Sequence, residues 1–245
     1  MKINSDLKLV LRDVYLYDIE ACHYNIMKKL GTDMTDIDAD DKIGRNIKIG
    51  QMMQKNPRLT SLLRNTTKSI IDEYISKNNV KDDQIILRQY DGILLTRTLR
   101  ETNLQQTPLD LRKTFQIFIS SIERNKYIAL DNSNKVIIKG VSFRYPEIDK
   151  IYDQVCRTVD LNRESMFKRL QRIKDNFMNS ENARLFAIPS KNNKFNIYLK
   201  RFGEMEVSAQ TLKIMDTQDV DKDRYFKFYI QPFTKSIVVE FVKGR

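Results

Sequence analysis

Two aspartates stand where apolar strand-like runs end. Asp18 closes the first such run in "VYLYDIEACHYNIMKKLG", residues 14–31, and Asp91 lies in Tyr90-Asp91-Gly92, inside "QIILRQYDGILLTRTL". A carboxylate at a strand end is held rigidly by the sheet yet faces open space. Two of them on neighbouring strands offer hard oxygen ligands to Mg2+, an ion that keeps waters and completes its shell with substrate phosphates. Two such ions, roughly 4 Å apart, activate an attacking hydroxyl and steady the leaving group of an in-line phosphoryl displacement. Lys42, Arg45 and Lys48 lie between the acids at three-residue spacing, so one helical face presents cations suited to a triphosphate. The pattern alone leaves a plainer reading open: aspartates that cap turns, and a solvated basic helix face.

The elements around these residues can be read from their periodicity. "LKLVLRDVYLYDI" alternates and predicts one or two strands ending at Asp18. "ACHYNIMKKL" has helical spacing and stops at Gly31, and "TDMTDIDADD" reads as an acidic loop or cap. "DDKIGRNIKIGQMMQK" is a helix punctuated by Asn56-Pro57. In "RLTSLLRNTTKSIIDEYISKN" the apolar residues Leu59, Leu62, Leu63, Ile70, Ile71, Tyr74 and Ile75 predict an amphipathic helix. The apolar runs flanking Tyr90-Asp91-Gly92 predict a β-hairpin with Asp91 at its tip. "TPLDLRKTFQIFISSIER" is expected to be a helix with Pro108 near its start. "KYIALDNSNKVIIKGVSF" predicts two strands around a turn, and two helices follow, "YPEIDKIYDQVCRTV" and the basic "NRESMFKRLQRIKDNFMNS". Strands are expected again in "RLFAIPS", "KFNIYLKRF", "RYFKFYIQPF" and "SIVVEFVKG", and the change of pattern places a boundary near residues 144–146.

Composition narrows the function classes. The chain has 245 residues, 41% of them hydrophobic, enough for a sizeable core. Forty-three Lys and Arg against 32 Asp and Glu give a net charge of +11, which favours a polyanionic partner: nucleic acid first, an anionic membrane surface second. Only Cys22, Cys156 and one histidine, His23, are present, which argues against a structural zinc site, and reduced thiols are expected. No run reaches the ~20 apolar residues of a membrane span, and the N-terminus lacks a signal-peptide apolar region. A cytoplasmic protein follows, and its Lys, Ile and Asn usage points to a bacterial or viral genome.

These segments, taken together, resemble the polymerising core of family B DNA polymerases. Their first motif, D-x-x-S-L-Y-P-S-I, is similar to "DIEACHYNI", with Asp18 at the metal-binding aspartate and Ile26 at the closing isoleucine. His23 stands where the family has the tyrosine that screens the sugar 2′-hydroxyl. The second motif, K-x-x-x-N-S-x-Y-G, resembles "KIGRNIKIG", with Lys42, Asn46 and Gly50 in register and Ile49 in place of the tyrosine. The third, Y-G-D-T-D-S, resembles "RQYDGILL", where Asp91 matches the second aspartate and Gln89 replaces the first. Further on, "RNKY" (Arg124 to Tyr127) and "KGV" (Lys139 to Val141) resemble the family's K-K-R-Y and K-G-V segments, which lie on the primer-template duplex. The resemblance covers residues 10–145.

It implies an α+β fold: an antiparallel palm-type sheet with helices on one face over residues 1–145, and a small helical fingers insertion at about 28–78. Thumb-like helices at 146–182 and a C-terminal β-rich module at 183–245 complete the expectation. The implied activity is template-directed nucleotidyl transfer from a dNTP to a primer 3′-hydroxyl. Asp18, Asp91 and the backbone carbonyl of Ile19 would hold two Mg2+, with Mn2+ as an alternative, and Glu20 either assists or faces solvent. Lys42, Arg45, Asn46 and His23 would contact the nucleotide. Arg124, Lys126, Tyr127 and Lys139 would track the duplex, together with Lys168, Arg169 and Arg172 of the basic helix. Loss of the motif-two tyrosine predicts lower fidelity. The chain begins just before the palm, so the expectation is either a compact polymerase without proofreading or one subunit whose partner chain carries the N-terminal and exonuclease domains.

Three other readings stay open. A non-catalytic palm-derived subunit would hold primed DNA through its basic helix by salt-dependent, sequence-blind phosphate contacts. Reverse transcriptases and family A polymerases also place aspartates at strand ends, although the first lack a counterpart here for their segment between the motifs, and the second place the thumb earlier. A nuclease would need a further acidic cluster.

Overall fold

The computed structural model describes residues 1–245 except 39, 105–106, 142–145, 191, 193 and 244–245, together with the side chains of 146–147. Most of the pattern change near residues 144–146 therefore lies outside the described residues. The fold is α+β, and the chain divides into two units: residues 13–114, and residues 1–12 with 115–245. A two-residue strand, β1 (Val10–Leu11), belongs to the second of these.

In the unit 13–114, β2 (Val14–Ile19) is followed at once by α1 (Cys22–Lys29). Ala21 makes that corner in the left-handed region (φ 43), and the Asn25 side-chain amide donates to the Glu20 carbonyl at 2.6 Å. Helix α2 (Lys42–Lys55) starts at Asp41, whose carboxylate accepts from the Ile43 and Gly44 amides at 3.1 and 3.0 Å. That bond satisfies donors the helix itself cannot. Helix α3 (Pro57–Lys77) is capped by Asn56, begins on a proline whose missing N–H is not needed there, and buries Leu63, Thr67, Ile70, Ile71 and Tyr74. Strands β3 (Ile85–Arg88) and β4 (Gly92–Leu95) form the expected hairpin, and "GILL" is buried throughout, as a central strand requires. Next come β5 (Asn103–Leu104) and the first half of β6 (Thr107–Ser120). The antiparallel order in this unit is β3-β4-β2-β6, with Tyr15 opposite Leu95 and Asp18 opposite Gly92. The unit's core joins Tyr17, Ile26, Met27, Leu63, Ile71, Tyr74 and Ile93. Each such side chain contributes about 1.5–3 kcal/mol on burial.

In the other unit the second half of β6 pairs with β1 and with β7 (Tyr127–Asp131), and β7 pairs with β8 (Val136–Lys139). Helices α4 (Pro146–Arg157) and α5 (Arg163–Met178) follow. A separate small sheet, in the order β11-β10-β9, is built from β9 (Ile188–Pro189), β10 (Lys194–Leu199) and β11 (Gly203–Ser208). The chain then turns helical: α6 (Ala209–Ile214), α7 (Lys222–Tyr225), a π-helical turn at Phe226–Ile230, and α8 (Gln231–Lys243). Aromatic edges fasten this core, Phe177 to Phe186 at 5.1 Å and Tyr152 to Phe233 at 5.7 Å. No helix among the described residues is long and apolar enough to cross a membrane.

Three segments depart from the sequence reading. The helix expected over 107–124 is mostly the long strand β6. Residues Ile117, Phe118, Ile119 and Ser120 are all buried, as in a strand covered on both faces, and pairing with β1 and β7 outweighs Pro108, which a strand tolerates near its start. "RYFKFYIQPF" and "SIVVEFVKG" are helical rather than strands. Phe226, Ile230, Phe233 and Ile237 fall four, three and four apart and are all buried, so tertiary packing overrides the β-propensity of their aromatic and branched side chains. In "RLFAIPS" only Ile188–Pro189 is strand, after a 3-10 turn at Ala183–Phe186.

Candidate active site

Asp18 and Asp91 come together. β2 and β4 are hydrogen-bonded neighbours, Asp18 faces Gly92 across the pair, and the Ile19 amide donates to the Asp91 carbonyl at 2.8 Å. Gly92 permits this approach, because a Cβ there would sit 2.4 Å from the Tyr17 carbonyl and 3.2 Å from Asp18 Oδ1. Both acids line a cleft of about 900 Å3 made wholly by residues of the unit 13–114. Ile19, Glu20 and His23 line it from the end of β2 and the start of α1, and Lys42, Arg45, Asn46, Ile49 and Gly50 line it from α2.

The electrostatics follow from this placement. Asp18 is half-buried, and its pKa is pushed up to about 6, by burial first and by the charge of Asp91 second; Arg112 and Lys42 pull it back down. Like charges brought close resist joint ionisation, the condition that a bound cation relieves. His23 Nε2 lies 3.1 Å from the Tyr90 hydroxyl, and the two rings stand 5.2 Å apart. Burial pushes the His23 pKa down, against the charge of Asp91, which raises it. Arg45 sits over the Tyr24 ring at 5.7 Å. Cys22, just beneath, is buried with its Sγ 3.5 Å from Thr67 Oγ1, and burial pushes its thiol up to about 11, a packing role.

Of the residues singled out in the sequence, Asp18, Ile19, Asp91, Lys42, Arg45, Asn46 and His23 meet in this one cleft. Lys48 does not join them; its ammonium donates to the Asp36 carbonyl. The expected duplex-tracking residues belong to the other unit. There Tyr127 is 1% exposed with its ring 4.7 Å from Phe118, so it is a core residue and is not assigned a surface contact. The Arg124 guanidinium donates to the carbonyls of Ser5, Leu7 and Lys8 and to Ser120 Oγ, which ties down the N-terminal segment instead of leaving a free charge. Lys126 Nζ donates to the Phe228 carbonyl at 3.1 Å, while Lys139 is exposed opposite Tyr127. The "RNKY" and "KGV" segments do meet: a Cβ on Gly140 (φ 79) would lie 2.6 Å from the Asn125 carbonyl. On α5, Lys168 pairs with Glu164 at 2.5 Å, Arg172 is exposed and Arg169 is partly so.

Two side chains that act on Asp18 escaped the sequence reading. Arg112 lines the cleft and opposes the Asp18 shift, and Asp110, 3.7 Å from Arg112, reinforces that shift. Both lie on β6, and a helical reading of 107–124 hides that its side chains project beside β2. Tyr90 was legible in the hairpin tip, but only coordinates show its bond to His23.

The fold is similar to part of a solved structure. Over 97% of its length the chain superposes on the structure of the family B DNA polymerase from the hyperthermophilic archaeon Pyrobaculum calidifontis, with a TM-score of 0.52 and 9% sequence identity. It covers 46% of that chain, so it spans about half the length of the solved structure it matches. No family model matches the sequence, and no curated protein sequence matches it.

Proposed function

We propose that the cleft performs template-directed nucleotidyl transfer, as the core of a DNA polymerase. The observation that carries this reading is the pairing of Asp18 and Asp91 at adjacent strand ends in a cleft that α2 lines with Lys42, Arg45 and Asn46. The donor set fits Mg2+. Its two carboxylates are hard oxygen ligands, and a cation relieves both the burial of Asp18 and its repulsion by Asp91, the two causes, in that order, of the raised Asp18 pKa. Among the described residues no cluster of three or more acidic, Cys or His side chains is poised for a metal; the Ile19 carbonyl, water and the triphosphate itself would complete the shell. When bound, Mg2+ lowers the cost of the charge that develops on the reacting phosphate oxygens.

The chain's own residues supply orientation and charge. Lys42 and Arg45 neutralise the triphosphate, and Asn46 on the same helix fixes its position. In the transfer the primer 3′-oxygen bonds to the α-phosphorus, the bond from that phosphorus to the bridging oxygen of the β-phosphate breaks, pyrophosphate departs with that oxygen, and the hydroxyl proton passes to water. His23, held by Tyr90, presents a flat ring where the sugar passes. Primer-template DNA and a dNTP are the substrates of this reading.

A non-catalytic nucleic-acid-holding subunit is the second reading. It is favoured by one observation, the Arg112 guanidinium within the field of the acid pair. Primer extension by the full chain with Mg2+ separates the two. Asp91→Asn abolishes extension and keeps primed-duplex affinity unchanged; extension equal to wild type removes Asp91 from the mechanism. Absence of extension by the wild type itself favours the second reading. Lys42→Ala raises the dNTP KM about tenfold or more, the loss of one charge-assisted contact; an unchanged KM dismisses the role given to α2.

A further inference from the structure

Residues 96–104 hold no regular structure beyond the short β5, yet buried polar side chains tie them down along their length. The Tyr17 hydroxyl accepts the Leu99 amide at 2.9 Å. The Tyr74 hydroxyl accepts the Leu104 amide at 2.8 Å and lies 2.6 Å from the Thr107 carbonyl. Asn78, 6% exposed, is fully engaged. Its Oδ1 accepts the amides of Arg100 and Glu101 at 2.8 and 2.9 Å, and its Nδ2 donates to the carbonyls of Tyr74 and Glu101, each at 2.9 Å. Satisfied buried polar groups of this kind fix one backbone shape. A loop held rigid on a scaffold is where binding residues concentrate.

What this loop presents is charge. Arg97 and Arg100 stand beside Lys77, the last residue of α3, around a pocket of about 440 Å3 completed by Asn78, Asn79 and Glu101. Three cations face one carboxylate, and among the described residues no ion pair joins Lys77, Arg97 or Arg100 to an acid. The backbone here does not favour an anion, because the pocket adjoins the negative end of the α3 dipole. The amides of Arg100 and Glu101 are already spent on Asn78. A small anion therefore finds no cradle of N–H groups, only separate charged heads on long side chains. Such an array suits a polyanion whose phosphates are contacted one by one, the two arginine forks matching phosphate oxygens.

We propose that this pocket binds the phosphodiester backbone of a nucleic-acid strand, as an anchoring site separate from the acid pair. β4 leads from Asp91 at one end toward Arg97 two residues past the other, so the pocket lies roughly 15–20 Å along the strand from the cleft. The proposal stands whether or not the cleft is catalytic.

The test uses the full chain, fluorescence anisotropy of a labelled single-stranded oligonucleotide, and a salt series. The triple variant Lys77→Ala, Arg97→Gln, Arg100→Gln weakens binding and lowers the slope of log affinity on log salt by about 2, since each lost phosphate contact on a single strand removes roughly 0.7. A control with the same charge change, Lys55→Ala, Lys68→Ala, Lys213→Ala, alters it less. The exposed Arg100→Gln alone gives a proportionate part of the effect and guards against a folding failure of the triple. An unchanged slope, or an equal loss in the control, overturns the proposal. So does saturable binding of inorganic phosphate or pyrophosphate that the triple variant abolishes while oligonucleotide affinity stays the same, which assigns the pocket to a free anion.

Discussion

Asp18 is half-buried and shares its cleft with Asp91. Unfolded, an aspartate titrates near 3.8; in the fold Asp18 holds its proton up to about 6, because of burial first and the Asp91 charge second. Between those values the unfolded chain gives up its proton before the native one does. Raising the pH therefore favours unfolding, and the contribution is fully present below about 3.8 and lost above about 6. With divalent ions removed, Asp18→Asn is expected to flatten the fall in Tm across this window and to raise Tm at pH 7. An Asn variant with the wild-type pH profile contradicts the assignment. Sequence made the acid pair legible because strand ends and a hairpin tip are local signals. Arg112 and Asp110 were illegible because their relation to Asp18 runs through the pairing of β6, a long-range contact.

Gly92 shows why an element and not one residue sets the site. It lets β4 lie against β2 with no Cβ between the Tyr17 carbonyl and the Asp18 carboxylate, and the neighbour that a Cβ would strike at 2.4 Å is backbone. Gly92→Ala is expected to cost about 1–3 kcal/mol, as overpacking does, and to depress activity beyond that loss because both acids shift. A denaturation midpoint equal to wild type contradicts this account of the hairpin. The hairpin and α3 were readable because their apolar periods agree with their turn and cap residues. β6 and α8 were not. In β6 an early proline and the length of the run imitated a helix, and a strand buried on both faces carries no alternation to correct that; in α8 aromatic and branched residues imitated a strand, and only burial reveals the spacing of four and three.

The whole chain carries a charge of +11, and among its described residues one core packs around Tyr17 and Tyr74 and another around Phe177, Phe186 and Phe233. The fold class was visible in the sequence. The arrangement of the last sixty or so residues was not, because long-range packing decides it. Excess positive charge favours nucleic acid without specifying chemistry. The chemistry rests on a single claim, that Asp18 and Asp91 jointly hold a divalent ion. Calorimetric titration of the metal-free chain with Mn2+ tests it most directly. The account predicts binding by the wild type, a loss of about tenfold or more in affinity for Asp18→Asn and for Asp91→Asn separately, and near-normal binding by Lys42→Ala. Wild-type Mn2+ affinity in both Asn variants contradicts it.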